Sequence, residues 1–596
     1  MTSGAWGQTE RIGAVPPSLP ARALVTAALP YANGHVHLGH LAGAYLPADI
    51  YVRFLRAMGV DAVFVCGSDE HGVPIALAAE KEGTTPRAVI DRYHAANDAA
   101  FRAARVDFDI YGRTSDPAHH EQAQYFFKRL LERGHIDRRP YQQLYCERCA
   151  RFLPDRYVEG RCHHCGAPGA RGDQCDSCGR VIDPLRLGEP RCKICGSAPA
   201  VRETVHWFLR LGDFSDALAA WLDSHPEWRP NVLEGARGWL AEGLRERAIT
   251  RDLSWGVKVP VDGAEGKVLY VWFDAPIGYL TFTKQWAARE GRDWREFWCD
   301  PATPVIHFIG KDNIPFHTIT WPAMIMGVAD GTSLPSAVVA NEFLNLEAEG
   351  APRGAGQGGL KFSKSQGRVI RISDTAQQFG SDAVRYYLTA IAPESADSEF
   401  TWDGFRSRYA ELADVLGNLC HRALSFASRY FGGRAPEARE LAPSDRALLA
   451  EAAATREAVA SDLARHRMKL ALGRVMDLAR AGNRHFDERR PWETRKTDLR
   501  DCASAIAASL SVARSLASLI EPFMPDAASR LARALGGASP PLGKDSWRLV
   551  RDAEPVPAAE LGEPQVLFRK PDDAEFASRV SACLGLARDG TRGTDG

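Results

Sequence analysis

Apolar residues first cluster at Ala23-Leu24-Val25-Thr26-Ala27, a short near-continuous run of the kind a strand buried on both faces shows. Pro30 and Gly34 mark a turn, and from about Leu38 to Met58 the apolar positions fall at helical spacing. Gly59 stops that helix, and a second buried run follows at Ala62-Val63-Phe64-Val65-Cys66. Strand, loop, helix and strand in this order predict a βαβ unit, the opening of a parallel-sheet nucleotide-binding domain. Helical patterning continues to about Arg133, and strand-like runs return at 268–273 and 305–309. Beyond Asp403 the chain is rich in Ala, Leu and Arg at three- and four-residue spacing, which predicts a helical bundle to about Gly537. A Pro/Gly-rich stretch, 536–543, ends it, and strand patterning reappears only at Pro564. The fold class expected is α/β, a Rossmann-like catalytic domain, followed by an all-α domain. The first twenty residues and 589–596 are expected to be loose tails.

At 596 residues the chain is long enough for two to four domains. It is 45% hydrophobic and 25% charged, with a net charge of −1, which excludes a globally basic nucleic-acid coat but leaves room for a local basic face. No uninterrupted apolar run reaches the roughly 18 residues of a membrane span. With no signal-like start, a cytoplasmic protein without a membrane partner is expected.

Eight of the thirteen cysteines lie between Cys146 and Cys195, as four Cys-x-x-Cys couples: Cys146/Cys149, Cys162/Cys165, Cys175/Cys178 and Cys192/Cys195. Each couple offers two thiolates at the bite of a tetrahedral soft-metal site, so the eight suffice for two Cys₄ sites, with zinc the expected ion. Disulfides would suit a small secreted domain better than this long chain. No neighbouring acid is placed to activate a metal-bound water, so both sites read as structural.

After the first run comes Leu29-Pro30-Tyr31-Ala32-Asn33-Gly34-His35-Val36-His37-Leu38-Gly39-His40. His37 and His40 fall at a helix start, where free N–H groups and the dipole favour phosphate, and Gly39 lets a ligand approach the backbone. Alone, such a pair also fits a surface or metal pair. Far downstream, Lys361-Phe362-Ser363-Lys364-Ser365 sets two lysines three apart in a polar loop. Alone it would read as a solvated basic loop. Together and in this order, the two motifs resemble the paired signatures of class I aminoacyl-tRNA synthetases. The stretches 28–34, 270–279, 310–317 and 152–156 resemble those of the methionyl-tRNA synthetase family, over about residues 22 to 570. The Gly-rich segment 346–359 is longer than the resemblance leads one to expect, and no further carboxy-terminal domain is apparent.

The resemblance implies a methionine–tRNA ligase. Methionine and Mg²⁺-bound ATP form methionyl-adenylate, and the methionyl group then passes to initiator and elongator tRNA(Met). It implies His37, Gly39, His40, Lys361 and Lys364 as ATP-binding residues, with the two histidines and two lysines catalytic. It implies Leu29, Tyr31, Asp69, Trp272, Ala275, Pro276, Tyr279 and His317 around methionine, Asp69 and the Leu29 carbonyl taking the ammonium. Arg251 would couple adenylate and pocket, and Asp382 and Arg385 would support the lysine loop. Asn418, Arg422 and Trp492 would read the anticodon; without the resemblance, Trp492 would be assigned to packing. The resemblance also implies nested zinc pairing, Cys162/Cys165 with Cys175/Cys178 and Cys146/Cys149 with Cys192/Cys195, against a sequential alternative, and a monomer.

The expected organisation is a tail (1–21), catalytic halves (22–141 and 201–345) around a zinc insertion (142–200), a lysine-loop region (346–402), an anticodon-binding bundle (403–545) and a C-terminal segment (546–596). Competing readings are a paralogue charging another acceptor, a retired scaffold that only binds RNA, and a zinc-ribbon transcription factor. Intact histidine and lysine motifs argue against a retired scaffold, and the Asn418, Arg422 and Trp492 set argues against a different acceptor. A zinc ribbon explains the cysteines and nothing else.

Overall fold

The computed structural model describes residues 19–172, 175, 177–178, 180, 182–347, 360–361, 369–438 and 440–589. The expected amino-terminal tail up to residue 18, the tail after 589, most of the Gly-rich segment and Lys364 lie outside these. The chain forms two compact units, one of 21–52, 61–408 and 571–596 and the other chiefly of 409–570.

The first unit is built on five parallel strands: β1 (Arg22–Ala27), β2 (Asp61–Ser68), β3 (Ile110–Arg113), β4 (Val305–Gly310) and β5 (Ala337–Asn341), in the order β5-β4-β1-β2-β3. The apolar run of β1 sits at the centre because both its faces are covered; Ala23, Leu24, Val25 and Ala27 have no exposed surface. Leu24 and Val63 pack with Phe126, Phe127, Tyr279, Phe282, Trp298 and Trp321 in the main core. Where β2 and β3 run side by side, Gly67 faces Gly112, and a Cβ on either would overlap the Phe282 ring. The chain turns from β1 towards β2 and β3, and later returns to the other side of β1 with β4. This order creates a crevice beyond the carboxyl ends of β1 and β4, where such sheets bind ligands.

The helix after β1 begins at Leu38 and runs to Ala57 through a wide π-turn at Leu41–Tyr45, and a second π-turn, Phe316–Thr320, follows β4. Such turns concentrate at functional sites. One expectation is corrected here: the apolar run at 268–273 is not one strand. Strand Lys267–Leu269 ends at Tyr270, whose carbonyl accepts the N–H groups of Phe273 (2.8 Å) and Asp274 (3.2 Å), so Val271–Asp274 is a helical turn.

The cysteine segment is carried on two long antiparallel strands, Ile136–Cys146 and Ala200–Leu209, paired from Ile136↔Leu209 to Tyr145↔Ala200. After the bundle, the chain returns to the first unit as the helix Asp573–Asp589, whose Phe576 ring packs against Phe379 (5.4 Å) and whose Arg579 donates to the Gln378 carbonyl (2.9 Å). The strand patterning expected from Pro564 does not materialise; 564–570 carries no regular structure.

The second unit is helical. Helices Asn418–Tyr430, Pro443–Ala464, Met468–Arg489 and Pro525–Leu535 surround Leu499–Leu519. By length and composition this last helix could cross a membrane, although Arg514 and several serines interrupt its apolar run, but 94% of its most apolar window is buried by its neighbours. A helix apolar all round is what a bundle centre requires.

Candidate active site and cysteine clusters

The loop that leaves β1 is pinned on both sides. Asp69 N–H donates to the Pro30 carbonyl (2.9 Å) and Ala32 N–H to the Asp69 carbonyl (2.8 Å), extending the β1–β2 pairing beyond the strands. Asn97, fully buried, accepts from Val36 N–H (3.0 Å) and donates to the Gly34 carbonyl (3.4 Å). His37 thus arrives as the residue capping the helix, and its N–H donates to His40 Nδ1 (3.2 Å). The two rings lie 3.7 Å apart. With Nδ1 of His40 an acceptor, the ring's proton sits on Nε2 when His40 is neutral.

Lys361 lies in the short strand Leu360–Lys361, paired with Leu344–Leu346. On the far side of the lysine segment, the Ile370 carbonyl accepts Leu38 N–H (3.1 Å) and Arg371 bridges to His37. Ile370 and Arg371 are therefore anchored on the histidine helix.

Tyr31, Asp69, Trp272, Tyr279 and His317 come from five different segments. Trp272 Nε1–H donates to the Tyr31 hydroxyl (2.8 Å), and the Trp272 ring packs on Phe316 (4.5 Å). Burial, and then the Asp69 charge, push the Tyr31 phenol well above its ordinary range, so it stays protonated. His317 lies in the second π-turn. Its Nδ1–H donates to the Asn313 carbonyl (3.0 Å), which leaves Nε2 to accept the Tyr279 hydroxyl (2.9 Å). Burial pushes the His317 pKa down to about 4, so at neutral pH it is an uncharged acceptor. Tyr279 also stacks on His307, whose Nδ1 meets Thr26 Oγ at 2.5 Å. Ala275 and Pro276 sit between the Val271–Asp274 turn and the helix Ile277–Glu290, with Leu29 against the Gly278 position.

Asp69 is 3% exposed. Burial, and then the charge of Asp274, raise its pKa well above the ordinary carboxylate range. Such a carboxyl is poised to ionise when a cation arrives. The sequence motifs contained Asp274 and His71 without assigning them a role, and nothing singled out His119 or His120.

Arg251 packs over the Tyr270 ring (3.8 Å) and donates to the Ala248 and Thr250 carbonyls (2.8 and 2.9 Å). Arg385 lies in the helix Ser381–Ala390. It is wholly buried and bridges Asp49 (2.7 Å) and the Ala104 and Arg105 carbonyls (3.2 and 3.1 Å), so it ties Ser381–Ala390 to the sheet-side helices.

The eight cysteine sulfurs form two groups, Cys146/Cys149/Cys192/Cys195 and Cys162/Cys165/Cys175/Cys178, with all four ligand atoms of each within 4.8 Å of one another. This is the nested pairing. Tetrahedral zinc with Zn–S of about 2.3 Å sets its sulfurs about 3.8 Å apart. The observed separations are 3.4 Å for Cys146–Cys195, 3.9 Å for Cys149–Cys192 and 3.8 Å for both Cys162–Cys178 and Cys165–Cys175. All-thiolate donors at these spacings fit structural zinc. In two knuckles the turn is completed by a glycine at positive φ, Gly166 (74°) and Gly196 (72°).

In the helical unit, Asn418, Arg422 and Trp492 come together. Asn418 donates to the Asn483 side chain (3.1 Å), and Arg422 pairs with Asp487 (2.5 Å). The Arg422 guanidinium lies over Phe486 (4.4 Å) and faces Trp492 (6.0 Å). Trp492 is 40% exposed, which corrects the packing assignment its sequence position alone suggested.

A histidine pair on the helix behind the first strand, facing the switch point of a sheet in this order, is the arrangement of a class I aminoacyl-tRNA synthetase. The family model described as tRNA synthetases class I (M) matches residues 23–424, and that of the anticodon binding domain of methionyl tRNA ligase matches 435–583. The chain belongs to the methionyl-tRNA synthetase family. It is 43% identical over 553 residues to the methionine–tRNA ligase of Methanopyrus kandleri, covering 92% of this chain and 80% of that one. With the Thermococcus kodakarensis ligase it shares 46% over 525 residues, 86% and 69% of the two chains. Among solved structures it is similar to Mycobacterium tuberculosis methionyl-tRNA synthetase in complex with methionyl-adenylate (TM-score 0.74, 28% identity, 92% of this chain and 99% of that one). The apo form of that enzyme also matches (TM-score 0.69, 26% identity, 93% and 99%).

Proposed function

We propose that the protein activates L-methionine with ATP and transfers it to tRNA(Met), initiator and elongator alike. The observation that carries this is the crevice itself, where β1 delivers His37 and His40, β2 delivers Asp69, and the segments around Trp272, Tyr279 and His317 close an aromatic, uncharged pocket beside that carboxylate. Asp69 and the Leu29 carbonyl take the ammonium. Tyr31, Trp272, Ala275, Pro276, Tyr279 and His317 surround the thioether, for which aromatic contacts are worth roughly 0.3–1.5 kcal/mol each. A neutral His317 suits this ligand, because a buried imidazolium would face no counter-charge from it.

Adenylate formation needs positioning and charge neutralisation rather than a protein nucleophile. His37, His40 and the backbone at Gly39 hold the phosphates of Mg²⁺-bound ATP, and Lys361 and Lys364 close over them. Anchoring of Ile370 and Arg371, which follow the lysine motif in the chain, at Leu38 and His37 supports this. Arg251 lines the route between adenylate and pocket. The two Cys₄ clusters hold zinc as structural crosslinks of the insertion. The protein works as a monomer in the cytoplasm.

Exchange of pyrophosphate into ATP, run with each of the twenty amino acids, tests the specificity: methionine alone should support it at low concentration, and dependence on another amino acid would overturn the reading. In the helical unit, Asn418, Arg422 and Trp492 read the anticodon. A half-exposed ring beside a guanidinium suits a stacked base, worth roughly 1–3 kcal/mol. Trp492→Ala should leave methionine-dependent exchange and thermal unfolding unchanged while tRNA charging falls about ten- to a hundred-fold. Charging that survives the substitution would remove Trp492 from the tRNA site.

A further inference from the structure

Behind Asp69 lies a second buried carboxylate. Asp274 has no exposed surface, and its Oδ2 accepts His71 Nδ1–H at 2.6 Å with His119 Nε2 at 3.8 Å. Its Oδ1 has no hydrogen-bond partner among the described residues. His71, 1% exposed, also donates its backbone N–H to Asp69 Oδ1 (3.4 Å), so one residue touches both carboxylates. The far nitrogen of His71 faces His120 Nε2 at 3.3 Å. His119 and His120 are both pushed towards the neutral form, by burial first, and His120 to about 4. Burial alone would raise the Asp274 carboxyl, but His71 and His119 outweigh it and hold it below the ordinary range.

The other charges nearby have partners of their own. Glu70 accepts from Arg113 (2.8 Å) and Ser68 (2.7 Å); Arg87 donates to Ser115 (3.0 Å) and lies over Trp255. Asp116 caps the helix that carries His119 and His120, and Tyr31 and Tyr279 face Asp69 as neutral phenols. His71 is thus the residue that joins the two buried carboxylates.

We propose that His71 is a positioning residue for the amino-acid substrate: its ring N–H engages Asp274 while its backbone N–H engages Asp69, so that Asp274 is held by the imidazole and Asp69 is left to receive the ammonium group. This rests on the reading that Asp69 receives that group. With His71 gone, Asp274 either competes for the ammonium or forces Asp69 to stay protonated.

The test is pyrophosphate exchange on the full chain. His71→Gln should raise the KM for methionine about ten-fold, the size of a one-unit shift from a neighbouring charge, with kcat changed less than about three-fold. Adding Asp274→Asn to that variant removes the like charge and should bring KM back to within about three-fold of the parent. A role in packing alone predicts the opposite, a double variant worse than the single one. An unchanged KM in His71→Gln, or no rescue, overturns the proposal. Asp69→Asn separates the two readings. If it leaves KM unchanged, the assignment of Asp69 itself fails; if it raises KM while His71→Gln does not, only the His71 assignment fails. Should His71→Gln not fold, His71→Asn carries the same test: a raised methionine KM that added Asp274→Asn brings back supports the proposal, and an unchanged KM or no rescue overturns it.

Discussion

Replacing Asp69 by asparagine should lower kcat/KM for methionine by about 10²–10⁴-fold, because removing one partner of a buried charge pair typically costs about 3–5 kcal/mol. The side chain is 3% exposed, so water cannot take the place of the lost carboxylate. The substitution keeps the shape and leaves an amide that cannot balance the substrate ammonium. Two further readouts distinguish this from a folding defect. The KM for ATP should be unchanged. Thermal stability should not fall, because a carboxyl whose pKa is raised by burial and by Asp274 is a strained group in the empty site. The raised pKa also fixes the sign of the pH dependence. Ionised Asp69 is the binding form, so kcat/KM for methionine should drop as pH falls through that raised value, and this limb should vanish in the variant. Steady-state exchange as a function of pH measures both substrate constants and the acid limb, thermal unfolding measures the stability, and a normal methionine KM in Asp69→Asn would sink the assignment.

The second large effect concerns stability rather than substrate. Arg385→Met should destabilise the first unit by about 3–5 kcal/mol, since it strands a buried carboxylate. Arg385 has no exposed surface and Asp49 is 1% exposed; the same guanidinium also serves two backbone carbonyls. Unfolding a chain with two units is not a single transition, so the expected result is a lowered denaturant midpoint for the phase that tracks loss of methionine activation. Asp49→Asn in the same background removes the stranded charge and should recover part of the loss. A midpoint that does not move in Arg385→Met would show that the pair is dispensable.

What the sequence disclosed depended on whether neighbours in the chain or neighbours in space carried the information. The β1–helix–β2 unit was legible because strands covered on both faces leave continuous apolar runs. The bundle was legible from its spacing, and the cysteine couples from their own bite. Their nested pairing was not in the spacing; it came from resemblance, and the sulfur positions now bear it out. The run at 268–273 misled because alternating aromatic and aliphatic residues look alike in a strand and in a short buried helical turn. Only the Tyr270 carbonyl, taking two successive N–H groups, settles it. Least legible were pairs that close across the fold. Tyr31 and Trp272 lie 241 residues apart, and His71 and Asp274 lie 203 apart. No local pattern announces such contacts, because burial by distant segments creates both the pairing and the shifted pKa.

The concentric arrangement of the cysteine clusters also orders their assembly. The inner Cys165–Cys175 contact spans 10 residues and the outer Cys149–Cys192 contact spans 43. Closing the longer ring in a flexible chain costs about 1.3 kcal/mol more in entropy, from the logarithmic dependence on length. Once the inner knuckle has closed, much of the outer ring is already tied up, and that difference shrinks. At limiting zinc the inner four thiols should therefore be shielded from alkylation before the outer four, so that the tip of the insertion matures first and the stalk is drawn shut behind it.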